Sequence, residues 1–510
     1  MKFRRRLKHF YRDTNGWSLV TIILALVITV PLWIIALHLG DGVGDMWQHI
    51  TRYFLFSYLL NSAVLLLGTG LLSILLGLGA AWIVTQYDFP GRSLSTWLLF
   101  LPLAIPSYIV AYTYVGTLGN GGTLVHWWQA LGLPLRRIEM MNIWGLIWVL
   151  SISLYPYVYA ATRAIFLHYP TALRENVLLL GGNEANYRWK IAFPLATPAI
   201  IGGVFLVYME VFNDYGAAKY YGINTFTTGI FRTWTALEDL QSAVYLCAVL
   251  LLVVLGLLGL VRWWQGRRSY AVKLAAADTA QQQRISLHGW SAAGALAWVS
   301  IPVIGGLVLP IGQLLYWASL TYATQWNTTL IRTAGHSCLL ALTAAAVTVL
   351  VALILHFSSR WNNWSPLSTT TKIATIGYVL PGAIIGISII RSNQGIIDFF
   401  TRYFNWSVGY LFYGSGVVLL YAYVFRFLAV AYQPLAAKLY QQGHRLSEAA
   451  ELLRANKWRS LWRVELPLLR PALFSTFLLV FVDVMKELPL TLILKPYHVH
   501  TLAVTTYAYA

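Results

Sequence analysis

The sequence predicts an all-α, polytopic membrane protein made of two tandem repeats of transmembrane helices. Three observations carry that expectation. Apolar residues make up 58% of the 510 positions and charged residues only 11%, whereas soluble domains carry about 25% charge. Apolar runs near the roughly 20 residues that a helix needs to cross the hydrocarbon recur along the whole chain. Features of the first half also return 273 positions later. Lipid offers backbone amides no water partner, so helices are the default, and no alternating barrel pattern is visible.

In order, the first half offers spans over about 17–39, 58–84, 97–118, 143–165, 195–214 and 242–262. The second offers about 292–316, 333–356, 371–391, 411–431 and 468–492, eleven in all. Subtracting 273 sets Ala510 opposite Leu237, before the 242–262 run, so a twelfth span is expected that this sequence does not contain. Residues 1–265 form the first module and 291–510 the second. Between them, 266–290 reads as a cytoplasmic linker holding Arg267, Arg268, Lys273 and Gln281 to Gln283. Leu101-Pro102 has an expected counterpart in Leu380-Pro381, at an offset of 279.

Charge placement orients the chain. The net charge of +18 gathers on segments that share a side with the basic start, Lys2 and Arg4 to Arg6, so the N-terminus is expected in the cytoplasm. This is a topology signal beside anionic lipid, not a nucleic-acid surface. The 17–39 run is too long for a secretory signal and no small-residue cleavage site follows it. Cys247 and Cys338 lie in apolar runs and support neither a disulfide framework nor a thiolate metal site. His336, His356 and the other histidines show no ligand spacing.

The strongest repeat is a charged loop. Its first copy runs through Glu175, Gly181, Ile191, Phe193 and Pro194, its second through Glu448, Ala449, Ala450, Val464, Leu466 and Pro467. In each, a Glu precedes an apolar-x-apolar-Pro ending by nineteen residues, and the proline opens a new apolar span. A capped polar helix with Glu448 and Glu451 in its first turn suits the helix dipole. Beyond it the chain resumes with Trp458 and Trp462. Proline is tolerated at a helix start, where its missing N–H matters little.

Here the chain resembles the permeases of binding-protein-dependent ABC transporters with the type I (MetI-like) fold. Their EAA loop has the form Glu-Ala-Ala, a Gly four residues on, and a terminal Ile-x-Leu-Pro. Glu448-Ala449-Ala450 and Leu466-Pro467 match it, with Arg454 in place of the Gly; Gly181 and Pro194 match in the first copy, where Asn176, Val177 and Phe193 depart. The resemblance implies that each loop docks into a groove of a separate ATPase, two such subunits in all, and that a soluble binding protein delivers substrate from outside. It also implies a bacterial plasma (inner) membrane location. Leu101–Tyr108, Tyr220–Gly229 and Asp483–Pro489 look like the fused, double-length branch that serves ferric iron uptake, with thiamine and phosphonate-type permeases as alternatives. No Gly-x-x-x-x-Gly-Lys-Ser/Thr phosphate loop occurs, so ATP is expected to be used by the partner and no cofactor is expected on this chain.

A second repeated feature is a pair of membrane acids. Glu210 and Asp214 stand 273 positions before Asp483 and Glu487, each pair at i, i+4 on one helix face. Counted from Pro194 and Pro467 they lie roughly 24 and 30 Å up a helix, near the outer hydrocarbon boundary. Ionisable groups at that depth are functional candidates by default. Four carboxylates meeting on the repeat axis would line a path with hard oxygen suited to a highly charged cation, with Lys486 neutralising one of them. The same residues could instead secure helix ends, form gating salt bridges or contact the binding protein. An ion-coupled secondary transporter would keep the repeats and acids but need no docking loop. A membrane enzyme should show a catalytic cluster near one face, and none is visible.

Overall fold

The computed structural model describes residues 16–119, 121–132, 139–267, 284–360, 370–371, 373–442, 452 and 456–509. Among them, nine helices are long and apolar enough to cross a membrane. A tenth candidate span, over Arg92–Ala104 and Ser107–Ala130, is bent by 97°. The only strands described are two residues each, Tyr87–Asp88 paired in parallel with Ile285–Ser286. Leu67, Leu71 and Leu75 on the Leu55–Gln86 helix are more than half exposed, as a lipid-facing stripe requires.

The third span of each half is where the sequence expectation needs correction. Neither 97–118 nor 371–391 is one continuous helix. A 3₁₀ turn (Leu101–Ala104, Thr375–Val379) is followed by an extended residue and a proline, and only then does a new helix start at Ser107 or Gly382. Ile105 sits at φ −95°, ψ 122° and Leu380 at φ −90°, ψ 131°, because the ring of the next proline excludes the helical region. The counterpart of Pro381 is therefore Pro106, 275 positions earlier, and not Pro102. The 411–431 span begins instead at Val417, and 468–492 stops at Met485 before a separate Pro489–Leu494 turn.

The chain divides into two compact units, and each takes its first helix from the other repeat. One unit holds Asp45–Leu237 and Val249–Gln325; the other holds the residues up to Gly44, Glu238–Ala248 and Trp326–Tyr509. In the first, Leu55–Gln86, Ile143–Phe166 and Phe193–Asn213 pack together, and the Leu309–Gln325 helix of the second repeat lies against Ser107–Leu118. In the second, Gly16–His38 lies along Gly382–Phe404 and against Thr328–Arg360 and Val417–Gln442.

Close packing and proline explain the buried polar contacts. A Cβ on Gly77 would stand 2.8 Å from the Tyr155 carbonyl oxygen, so glycine lets the two main chains approach as membrane helices favour. Pro102 has no N–H for the Leu99 carbonyl, and the 3₁₀ turn draws the Phe100 N–H away from Thr96. Two fully buried tyrosines replace those donors: Tyr155 donates to Leu99 O at 3.0 Å and Tyr159 to Thr96 O at 3.1 Å. The other unit repeats the device. Pro31 leaves the Val27 carbonyl without its donor, and the Tyr421 hydroxyl reaches it at 2.6 Å.

Candidate functional site: coupling loops and pathway acids

The first charged loop is a helix–turn–helix. Thr171–Leu179 carries Glu175, and the turn passes through Gly181 at φ +79°, a left-handed conformation that glycine adopts without strain. The Gly181 and Gly182 N–H groups return to Leu178 O and Val177 O at 3.1 and 2.9 Å, closing the helix end. Asn183 caps the next segment by accepting from the Asn186 N–H at 2.8 Å. Arg174 braces the turn, donating from Nε at 2.8 Å and from Nη2 to the same oxygen of Glu184. That bond, more than the nearby charge alone, holds the Arg174 guanidinium pKa above its ordinary value.

Apolar contacts seat this loop on its unit. Leu173 and Val177 pack against a cluster in which Trp82 meets Phe166 and Phe193 edge-on at 5.3 and 5.2 Å. The end of the helix carries Leu179 and Leu180, 84% and 88% exposed. These two leucines form an apolar tip beside the turn.

In the second loop Glu448, Ala449 and Ala450 lie outside the described residues, as does Arg454. The described part reproduces the first loop in register. Asn456, 273 positions after Asn183, caps the Arg459 N–H at 2.8 Å. A π-helical turn follows in both, Tyr187–Ala192 and Leu461–Glu465, leading into the helices that carry Pro194 and Pro467. The wide turns were not expected from the sequence. They fall just before the prolines, whose rings displace the carbonyl four residues back. Leu461, Leu466 and Leu469 pack on Phe357 and Leu439, while Trp458 and Trp462 are at least half exposed.

The acids divide by position. Asp214 and Glu487 end the long helices and cap the short ones that follow. Asp214 accepts from the Ala217 and Ala218 N–H groups at 2.8 and 3.3 Å and from the Ser107 hydroxyl, which ties it to the helix opened by Pro106. Glu487 accepts from the Leu490 N–H at 3.1 Å, and its other oxygen lies 3.4 Å from Arg426 Nε. Both side chains of that ion pair are about 95% buried. One turn back, Glu210 accepts from the Tyr157 hydroxyl at 3.4 Å, and Asp483 pairs with Lys486 at 2.8 Å.

Ser107, Tyr157 and Arg426 escaped the sequence reading. For Arg426 a signal existed: it is the one charged residue in the apolar stretch Val417–Gln433. Ser107 carried none, because its role depends on the break at Pro106. Among the described residues, no three His, Cys, Asp or Glu side chains gather closely enough to hold a metal ion.

Comparison with known proteins fits this geometry. A family model described as the binding-protein-dependent transport system inner membrane component matches residues 73–266 and 371–508, well over half of the chain. The chain is 23% identical over 507 residues to the Fe(3+)-transport system permease protein FbpB 2 of Haemophilus influenzae, covering 96% of this chain and 91% of the relative. It is 20% identical over 500 residues to the putative ferric transport system permease protein FbpB 1 of the same organism, covering 92% and 76%. The sulfate transport system permease protein CysT of Escherichia coli is 25% identical over 219 residues, 42% of this chain and 75% of the relative. With one matched segment in each repeat, the chain belongs to the binding-protein-dependent transport system inner membrane components, multi-pass permeases of the MetI-like ABC transporter family.

Proposed function

We propose that this chain is the permease of an importer for ferric iron, delivered from outside by a binding protein and powered by two separate ATPase subunits. The observation that carries the substrate is coverage. The relatives that align along nearly the whole chain bear ferric names, whereas the sulfate permeases align to less than half of it. Coupling passes through 175–194 and 448–467, with Leu179 and Leu180 as the apolar tip of the first loop and Glu175 on its helix. On this reading both loops and the N-terminus face the cytoplasm, and the helix ends near Asp214 and Glu487 face outward.

The carboxylate geometry favours a structural share for the acids. Asp214 and Glu487 already hold helix N-termini, so we assign them to the frame of the outer end; Glu210 and Asp483, one turn deeper, are the pathway candidates. The test is substrate-dependent ATPase activity of the full complex in lipid, with binding proteins loaded in turn with ferric iron, sulfate or thiamine. Stimulation by the iron-loaded protein, lost in Glu448→Arg, supports both the coupling loop and the cargo. Stimulation only by another loaded protein keeps the permease and overturns iron.

A further inference from the structure

Each unit has a groove where its borrowed first helix meets the helix that follows the proline break. One, about 290 Å³, is lined by Ile34 and His38 and by Arg391, Ser392, Gly395, Ile396, Phe399 and Phe400. The other, about 210 Å³, is lined by Thr117, Thr123, Leu124, Trp127, Gln313 and Tyr316. The two are repeats of one another. His38 and Gln313, Thr117 and Ser392, and Leu124 and Phe399 each stand 275 positions apart, the offset of Pro106 and Pro381.

They differ in charge. The position matching Arg391 is Gly116, and a Cβ there would meet the Trp317 ring at 2.2 Å, so an indole occupies the space. In the second groove Gln313 is buried and bonded to the Thr117 and Thr123 hydroxyls at 3.2 and 2.6 Å. The buried Nε2 of Gln313 has no partner, and neither has one nitrogen of Arg391, but Arg391 carries a charge. Its Nη2 lies 3.3 Å from Asp41 Oδ2 and its Nη1 3.4 Å from Gln394 Oε1, while its buried Nε has no partner. His38 donates from Nδ1 to Ile34 O at 2.9 Å and turns Nε2 toward Asp41 at 3.8 Å. Asp41, half-exposed, is thus the single acid shared by a guanidinium and an imidazole. Below them the groove is walled by Ile34, Ile396 and two phenylalanines, and nothing stands within 4 Å of a Cβ built on Gly395.

We propose that the Arg391 groove is a phospholipid site, with the phosphodiester on Arg391 and Ser392 and an acyl chain lying over Gly395 between Ile34, Ile396 and Phe399. An apolar trough headed by an under-bonded guanidinium fits that amphiphile: the guanidinium fork matches phosphate oxygens and the chain needs no polar partner. The repeat-related groove, with Gly116 in place of the arginine, accepts chains without selecting a headgroup. That the site opens to the outer leaflet rests on the orientation proposed above; the site itself does not.

The test uses the full-length chain in lipid nanodiscs doped with phosphatidylglycerol carrying a diazirine on its acyl chain, and maps cross-links by mass spectrometry. No ATPase or substrate is needed, so failure here is separate from failure of the transport reading. Cross-links are expected at 396–400, lowered about tenfold by Arg391→Gln, the scale of one charge-assisted hydrogen bond. Arg391→Lys should restore part of the yield, and Gly395→Leu should block the groove. Cross-links at Leu124 and Trp127 serve as the control and should not respond to Arg391→Gln. Equal yields in Arg391→Gln, or displacement of the lipid by millimolar inorganic phosphate, would overturn the proposal.

Discussion

The ion pair between Arg426 and Glu487 offers the sharpest check on how the chain after the Leu466–Met485 helix is held. Substituting Arg426 by Met keeps the length of the stem and removes the charge, leaving a carboxylate about 95% buried, bonded to the Leu490 N–H but without its ion-pair partner. At 3.4 Å and an effective dielectric of about 20, the lost attraction is about 5 kcal/mol. Measured losses on breaking buried pairs run about 3–5 kcal/mol, because the surviving charge keeps its desolvation cost. Glu487→Gln should cost a similar amount by stranding Arg426 while its amide oxygen still caps Leu490. The double variant removes both charges and should recover most of the loss, since a buried pair and a neutral pair of like volume are close in stability. The assay is a double-mutant cycle on thermal unfolding of the purified permease in one detergent and one buffer, with binding-protein-stimulated ATPase activity as the second readout. A coupling of at least about 2 kcal/mol is expected for residues in direct contact. If the two single losses simply add, the pair is not what secures this helix end and the reasoning fails.

Three further outcomes follow from the same geometry. Tyr155→Phe should cost about 1–3 kcal/mol by leaving the Leu99 carbonyl unpaired; the loss should shrink in a Pro102→Ala background, where an N–H becomes available, as read by thermal unfolding. Asp214→Ala should cost about 1–2 kcal/mol as a lost cap, and Asp214→Asn far less, whereas a role as a substrate-binding charge would make the two equally damaging in an uptake assay. Gly181→Val forces a β-branched residue to φ +79° at a cost of about 1–3 kcal/mol; stimulated ATPase activity should fall while the basal rate of the partner ATPase stays the same.

Much of the frame was legible in the sequence because membranes make hydropathy and repetition nearly sufficient. The loops repeat at a 273-residue offset, which was legible; that Asn183 and Asn456 cap equivalent turns at that same offset emerged only from the structure. The i, i+4 acids were legible for the same reason, since charge is costly at membrane depth wherever it occurs. Lys486 was expected to neutralise one acid, and its partner is Asp483.

What the chain order could not supply is anything made by two distant segments. Apolar runs 97–118 and 371–391 look unbroken because hydropathy is blind to a proline's missing N–H; in the first, Tyr155 and Tyr159 cross from another helix to take the carbonyls of Leu99 and Thr96. The exchange of first helices between the units is likewise invisible in sequence, since either partner offers an apolar face. The same holds for Asp214 with Ser107, which meet only because the break at Pro106 starts a helix there, and for Glu487 with Arg426, which reaches it from the interior of Val417–Gln442. Composition and period determined where most of the apolar spans lie and which loops repeat, because those depend on transfer from water and on local backbone geometry. Which helix neighbours which, and what each acid does, was decided by packing and by the need to satisfy every buried polar group.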